Sequence, residues 1–337
     1  MSWFTKTFGD PTPIQRLGWP IVERGDNVLL SAPTGTGKTL AAFLPLLTRL
    51  PDPLPDTLVG LILTPLKALG QDQLGNVRQV VEALAPNVRI ALRTGDTPSA
   101  ERRRATRTSP HLLWTTPESL AVMLTQESFR RQLATLRWVI VDEVHALAGD
   151  KRGSDMAMSL ERVEAIAGPV QRIGLSATCE PITEVARFLA GADRACRIVA
   201  VPDLTTFELA IEPLPPVRGY IRRVVEHVLP ILAKHRTTLL FANTRNLCER
   251  LGYALKQVLA DRVATHHGSL SRDRRRQIET NLKEGRLSAV VCTATLELGI
   301  DIGSVDAVVF VNLPAGVARL MQRLGRSGHR PGEPRRG

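Results

Sequence analysis

A chain of 337 residues with 43% hydrophobic and 23% charged side chains exceeds what one hydrophobic core usually holds, so two domains of ordinary globular composition are expected. No uninterrupted apolar run reaches the length of a membrane span, and the first residues lack the apolar stretch and cleavage site of a secretory leader. The expectation is a cytoplasmic protein with no membrane partner.

The formal net charge is +11, and it is uneven: 21 Lys and Arg face 13 Asp and Glu from Val201 onward, against 23 and 20 before it. Such a basic surface concentrates polyanions, whether nucleic acid or anionic membrane, and charge alone does not choose between them. Aromatic residues are only 4% of the chain, too few for stacking along a single strand to be the main grip. The four cysteines stand far apart without metal-ligand spacing, so neither a structural metal nor a disulfide is expected.

In chain order, short apolar runs at 27–31, 58–63, 89–92, 111–114, 138–141 and 171–175 read as strands. They are too continuously apolar for a half-exposed sheet and suit a parallel sheet covered on both faces. Helical stretches such as 38–50 and 155–167 complete a βαβ rhythm. Around 201–216 the rhythm breaks at Pro202, Pro213, Pro215 and Pro216, which favours an extended connection. It resumes with strands at 237–241, 263–266, 289–292 and 305–311, so a first domain over 1–202 and a second over 203–337 are expected.

The strongest local signal is Ala32-Pro33-Thr34-Gly35-Thr36-Gly37-Lys38-Thr39, which follows a strand and opens a helix. Glycines there let successive backbone N–H groups converge on phosphate oxygens, and the helix N-terminus adds a favourable dipole. In such a loop Lys38 reaches the β- and γ-phosphates and Thr39 offers its hydroxyl to Mg²⁺. Asp142 and Glu143 follow the strand at 138–141, at the sheet edge where active groups of open parallel sheets gather. Asp142 suits Mg²⁺ and Glu143 the orientation and deprotonation of water, while His145 is placed to couple that site to its surroundings. Residues 322–330, QRLGRSGHR, carry arginines that suit a transferring phosphoryl group or, taken alone, a solvated basic face.

With these segments in place the chain resembles the superfamily 2 helicases. Pro11-Thr12-Pro13-Ile14-Gln15 is similar to the Q motif, whose glutamine reads adenine, and residues 32–39 to motif I. Thr64 to Leu69 resembles motif Ia, Thr115 to Glu118 motif Ib, DEVH at 142–145 motif II and Ser176-Ala177-Thr178 motif III. Leu240 to Arg245 resembles motif IV, Thr293 to Gly303 motif V and Gln322 to His329 motif VI. Within the superfamily, His266-His267-Gly268, the LELGIDIG core of motif V and QRLGRSGHR look like the large helicase-related (Lhr) family.

The resemblance implies an α/β fold of two RecA-like P-loop NTPase lobes, each a mainly parallel sheet flanked by helices. It implies an ATP-dependent DNA helicase or translocase with Mg²⁺, moving 3′ to 5′ on single-stranded DNA and opening duplex or hybrid in DNA repair. Catalysis would fall to Lys38, Asp142, Glu143, Gln322 and Arg326. Nucleotide contacts would come from Gln15, residues 32–39, Asp301, Arg326 and His329, with Mg²⁺ on Thr39 and Asp142. Thr64, Lys67, Thr116, Thr244 and Thr293 would line the polymer. His329 stands where DEAD-box RNA helicases have arginine, so Arg326 is the firmer finger and a second one from Arg330 stays open. Lhr proteins continue beyond motif VI, which implies further C-terminal domains in the parent protein. The alternatives are an RNA-directed helicase, with the same catalytic residues, and a nucleic-acid clamp that binds ATP without using it.

Overall fold

The computed structural model describes the chain except for residues 1, 98–107, 203–205, 215–217, 298–302, 304, 315 and 329–334. The chain divides into two compact units, Met1–Asp203 and Leu204–Gly337.

The first unit holds one parallel sheet of seven strands: β1 (Val28–Ser31), β2 (Gly60–Leu63), β3 (Ile90–Arg93), β4 (Leu112–Thr115), β5 (Trp138–Val141), β6 (Gln171–Ser176) and β7 (Arg197–Ala200), in the order β3-β4-β2-β5-β6-β1-β7. Strands β1, β2, β4, β5 and β6 are buried along their whole length, as their unbroken apolar runs require. Alternate residues feed two separate cores. Val28, Leu30, Ile62, Trp114, Ile140 and Ile173 pack with Val22, Phe43, Leu46 and Val77 from the helices Pro13–Arg24, Lys38–Thr48 and Lys67–Leu84. Leu29, Leu61, Leu113 and Val139 face the other way, against Met156, Leu160 and Leu189 of the helices Lys151–Ala167 and Ile182–Ala190.

The edge strand β7 was not among the expected runs. Only Val199 of its four residues is buried, so it carries no continuous apolar signal and is held by pairing with β1. The expected helix over 155–167 begins earlier, at Lys151, because the Asp150 carboxylate caps it by accepting from the Gly153 N–H at 2.9 Å.

In the second unit β9 (Thr238–Phe241), β10 (Val263–His266), β11 (Ala289–Cys292) and β12 (Ala307–Phe310) form a parallel sheet in the order β10-β11-β9-β12. Helices Tyr220–Lys234 and Arg245–Leu259 pack Val224, Val228, Leu251 and Leu255 on Leu240 and Val291. The described residues of the connection after β7 form no helix and contain a two-residue strand β8 (Phe207–Glu208) that pairs with β13 (Arg335–Arg336). The expected strand at 305–311 is shorter: Val305 instead bridges Ser327, tying the strand's approach to the motif VI segment. The expected α/β class, two mainly parallel sheets with flanking helices, is borne out. No helix among the described residues is long and apolar enough to cross a membrane. All four cysteines are free thiols, and burial pushes Cys196 up to about 11 and Cys248 up to about 12, which keeps both protonated.

Candidate nucleotide site and the motifs around it

The ends of β1, β5 and β6 bring the first unit's chemistry together. β6 lies between β1 and β5, so the phosphate loop leaving β1 and the acids leaving β5 flank Ser176 at the end of β6. The Ala32 N–H donates to the Ser176 carbonyl at 3.1 Å and the Ser31 hydroxyl to the Ala177 carbonyl at 3.2 Å, which fixes the start of the loop. Gly35 (φ 79°) and Gly37 (φ 83°) adopt the left-handed backbone that turns the chain into the helix Lys38–Thr48. Thr34 and Gly35 are exposed, while Thr36, Lys38 and Thr39 are half-buried. The Lys38 ammonium donates to the carbonyls of Ala32 (2.6 Å) and Pro33 (2.7 Å), and the Thr36 hydroxyl donates to that of Pro33 (2.8 Å).

Gln15 grips this loop from the side. Its Nε2 donates to the Gly37 carbonyl at 3.2 Å, its Oε1 accepts from the Thr12 N–H at 2.9 Å, and the Thr12 hydroxyl donates to the Thr36 carbonyl at 2.8 Å. A β-carbon at Gly37 would stand 2.5 Å from Gln15 Nε2, so a substitution there would displace that amide as well as strain the backbone.

Asp142 and Glu143 form a buried like-charge pair. Glu143 takes a left-handed backbone (φ 47°), rare for a residue with a side chain, and its N–H donates to Asp142 Oδ1 at 3.0 Å. Burial, then the Glu143 charge, pushes Asp142 up to about 7 against the opposing pull of Lys38. His145 follows in a short 3₁₀ turn, with Nε2 3.5 Å from Glu143 Oε2. Its Nδ1 accepts from the Ala177 N–H at 3.3 Å and lies 3.0 Å from the Ser176 hydroxyl. An N–H pointed at Nδ1 leaves the hydrogen of a neutral ring on Nε2, aimed at Glu143. Burial lowers the His145 pKa, which favours that neutral ring. The residues read as motifs II and III thus meet through His145, and the loop read as motif I joins them at Ser176 and Ala177.

A residue outside the expected set touches the same acid. Gln73, on the helix that starts at Lys67, donates from Nε2 to Asp142 Oδ2 at 3.1 Å and accepts from Trp114 Nε1–H at 2.9 Å. Nothing local in the sequence marks it.

Of the five residues expected along a polymer track, two have buried side chains. Thr64 is fully buried, its hydroxyl donating to the Leu66 carbonyl at 3.2 Å. Thr116 is 4% exposed, its Oγ1 accepting from the Ser119 N–H to cap the helix Pro117–Met123. Both shape the surface from beneath and offer it no side chain. Lys67 is half-exposed, with its ammonium 2.7 Å from Asp96 Oδ2. Thr244 is exposed and caps the helix Arg245–Leu259, and Thr293 is half-buried.

In the second unit the structure gathers motifs IV, V and VI around one carboxylate. Arg323 donates from Nε to Glu297 Oε2 at 3.0 Å and from a terminal nitrogen to Asn243 Oδ1 at 3.3 Å, and its guanidinium lies 4.9 Å from the centre of the Phe241 ring. Arg326 donates from Nε to the Glu297 carbonyl at 3.3 Å. Glu297, Arg323 and Arg326 are 5%, 3% and 6% exposed, and Gln322 is half-buried. His266 adds a further tie, with Nδ1 2.8 Å from Thr295 Oγ1 and Nε2 3.0 Å from Glu279 Oε1. Asp301 and His329 lie outside the described residues.

Residues 12–186 match the family model described as DEAD/DEAH box helicase, and residues 221–331 match the helicase conserved C-terminal domain. The chain belongs to the DEAD/DEAH box helicase family. It is 43% identical over 359 residues to the ATP-dependent helicase Lhr-Core of Methanothermobacter thermautotrophicus, covering 97% of this chain and 41% of that protein. With the Lhr helicase/probable uracil glycosylase of Mycolicibacterium smegmatis it shares 40% identity over 386 residues, 98% of this chain and 26% of that protein. The solved structure of Mycobacterium smegmatis helicase Lhr bound to single-stranded DNA and AMP-PNP superposes with a TM-score of 0.88 at 43% identity, over 100% of this chain and 46% of that one. The resemblance to Lhr helicases read from the motifs is therefore borne out, and the two units carry the expected RecA-like helicase fold. The chain spans less than half the length of these relatives.

Proposed function

We propose that this helicase-family chain hydrolyses ATP and uses the energy to move along single-stranded DNA. The observation that carries the reading is the meeting of the phosphate loop with the buried pair Asp142–Glu143, linked through His145 to Ser176 and Ala177. The Lhr neighbour, which holds single-stranded DNA and AMP-PNP, supports DNA as the polymer.

The residues fit Mg²⁺. Two adjacent carboxylates, where burial and then the Glu143 charge raise Asp142 to about 7, with the Thr39 hydroxyl on the neighbouring loop, are a hard-oxygen set suited to a divalent cation. Thr39 and Asp142 would hold it, and when bound it would neutralise charge on the β- and γ-phosphate oxygens. Lys38 then binds those oxygens beside the backbone N–H groups of residues 34–39. Gln15, fixed to the loop by Gly37 and Thr12, reads adenine. Glu143 orients a water and takes its proton as the water oxygen bonds to the γ-phosphorus and the bond to the β-phosphate oxygen breaks. The neutral His145 donates to Glu143 and holds it in place. Arg326 supplies positive charge and Gln322 a neutral amide donor to the transferring group, while Asp301 and His329 complete the nucleotide contacts. Lys67, Thr244 and Thr293 contact the polymer backbone.

The family resemblance extends the proposal to 3′ to 5′ movement, to opening of duplex or hybrid, and to DNA repair. ATP turnover measured with single-stranded DNA, duplex DNA, RNA or no polymer tests the core of it. Stimulation by single-stranded DNA is expected, and stronger stimulation by RNA or none by any polymer would overturn the reading.

A further inference from the structure

Gln73 is 6% exposed and is spent entirely on two partners, the Asp142 carboxylate and the Trp114 indole. An indole N–H can only donate. The Gln73 oxygen must therefore face Trp114, which leaves its NH₂ no orientation but toward Asp142. The amide's direction, ambiguous in an isolated glutamine, is dictated by its neighbour.

Trp114 is itself immobilised. It is fully buried in β4, and its ring stacks on Phe43 with planes 2° apart and centroids at 5.4 Å. Phe43 belongs to the helix that starts at Lys38, so the ring that orients Gln73 rests on the element carrying the phosphate-loop lysine.

Asp142 thus has each oxygen assigned: Oδ1 accepts from the Glu143 N–H at 3.0 Å and Oδ2 from Gln73 at 3.1 Å. Two donors on different elements fix the rotation of the carboxylate plane. A carboxylate left to rotate beside Glu143 would turn away from its neighbour's charge, and the bond from Gln73 opposes that. Such outer partners of ligating carboxylates orient the ligand, and their loss typically costs about 10- to 100-fold in metal affinity.

We propose that Gln73, oriented by Trp114, is a positioning residue that holds the Asp142 carboxylate in the direction required to take up the Mg²⁺ of the nucleotide. This rests on the reading of Asp142 as the metal-linked acid. The variants Gln73→Leu and Trp114→Phe remove the donor to Asp142 and the group that aims it, the second while keeping a ring over Phe43.

The experiment measures AMP-PNP binding by calorimetry in Mg²⁺ and in EDTA, together with DNA-stimulated ATP turnover across a Mg²⁺ titration. Gln73→Leu should raise the Mg²⁺ concentration for half-maximal turnover about 10- to 100-fold. It should weaken AMP-PNP binding in Mg²⁺ and leave binding in EDTA unchanged. Trp114→Phe should move the same quantities by less, and should add nothing in the Gln73→Leu background, because the indole acts only through the amide. Equal weakening in Mg²⁺ and EDTA, or an unchanged Mg²⁺ requirement, would overturn the proposal. Should Gln73→Leu fail to fold, Trp114→Phe carries the test by the same two readouts. Asp142→Ala separates the two readings. If it keeps Mg²⁺-dependent turnover, the metal assignment itself fails; if it loses it while Gln73→Leu matches the parent chain, only the role of Gln73 fails.

Discussion

The two units hold their functional residues by different physics. In the first, the phosphate loop is fixed by hydrogen bonds to backbone carbonyls, neutral ones from Gln15, Thr12 and Thr36 and charged ones from Lys38, and no carboxylate takes part in them. In the second, the frame is itself charged: Glu297 and Arg323 are a buried ion pair, and Arg326 hangs on the carbonyl of the same glutamate. The lesson concerns what a substitution removes. Taking a carboxylate charge from the first unit's nucleotide site should change chemistry and leave the scaffold standing. Taking one from the second leaves a partner charge buried without compensation, which typically costs about 3–5 kcal/mol.

The largest effect tests the second unit's chemistry apart from its frame. Arg326 donates to a neutral acceptor in that frame, the Glu297 carbonyl. Its replacement should therefore cost turnover more than folding. Arg326→Ala is expected to lower DNA-stimulated hydrolysis by about three to five orders of magnitude, as finger removal does elsewhere. AMP-PNP affinity should change far less. Parallel loss of both would make Arg326 structural and put it with Arg323.

Next in size is the first unit's acid. Glu143→Gln keeps the shape and removes the proton acceptor, so turnover should fall about 100- to 10,000-fold, the usual contribution of a positioned base. Nucleotide binding should persist, and the thermal midpoint should be unchanged or rise, since Asp142 loses a repelling neighbour. Lys38→Ala should weaken binding and turnover together. Near-normal turnover in Glu143→Gln would remove the base from this position.

The frame of the second unit gives the third test. Glu297→Ala leaves Arg323, 3% exposed, with Asn243 and the Phe241 ring but no carboxylate, and about 3–5 kcal/mol of that unit's stability should go with it. Replacing both, as in Glu297→Leu with Arg323→Met, should recover most of the stability and none of the DNA-stimulated turnover if the pair also positions Arg326. Denaturant midpoints read the first part and steady-state assays the second. A single loss below about 1 kcal/mol, the level of a surface pair, would mean water reaches the pair and would erase the contrast between the units.

What the sequence made legible divides along the same line. The phosphate loop and the acids after β5 are local strings marked by strand–loop–helix context, whereas the motif VI arginines were singled out only by the family resemblance. Glu297 could be seen within motif V and Arg323 within motif VI, yet their pairing could not, because an ion pair across 26 residues leaves no local trace. Gln73 was invisible for the same reason, standing 69 residues from Asp142 and 41 from Trp114. Thr64 and Thr116 were placed on a surface by motif position alone, and motif position carries no sign that both side chains are buried. Strand β7 was missed because an edge strand with a single buried residue lacks the run that marked the others.

The smallest effect is a pH dependence that belongs to the first unit's neutral frame. His111, 1% exposed, accepts at Nδ1 from the Arg89 N–H at 3.0 Å, and its Nε2 has no hydrogen-bond partner among the described residues. Burial, then the charge of Arg89, lowers its pKa below the ordinary 6.5. The unfolded chain therefore takes up a proton near pH 6.5 that the folded chain refuses. The stabilisation is complete above that pH and is lost as the pH falls below it. One proton contributes at most about 1.4 kcal/mol per pH unit, so the slope is shallow. The buried His145 has a lowered pKa of the same sign, and the two must be separated. His111→Asn offers Arg89 an amide oxygen and cannot titrate, so its thermal midpoint should fall less than that of the parent chain between pH 7 and about 5.5, with the His145 share remaining. Identical slopes for the two chains would mean that His111 titrates freely in the folded state, and that the frame around β4 admits water.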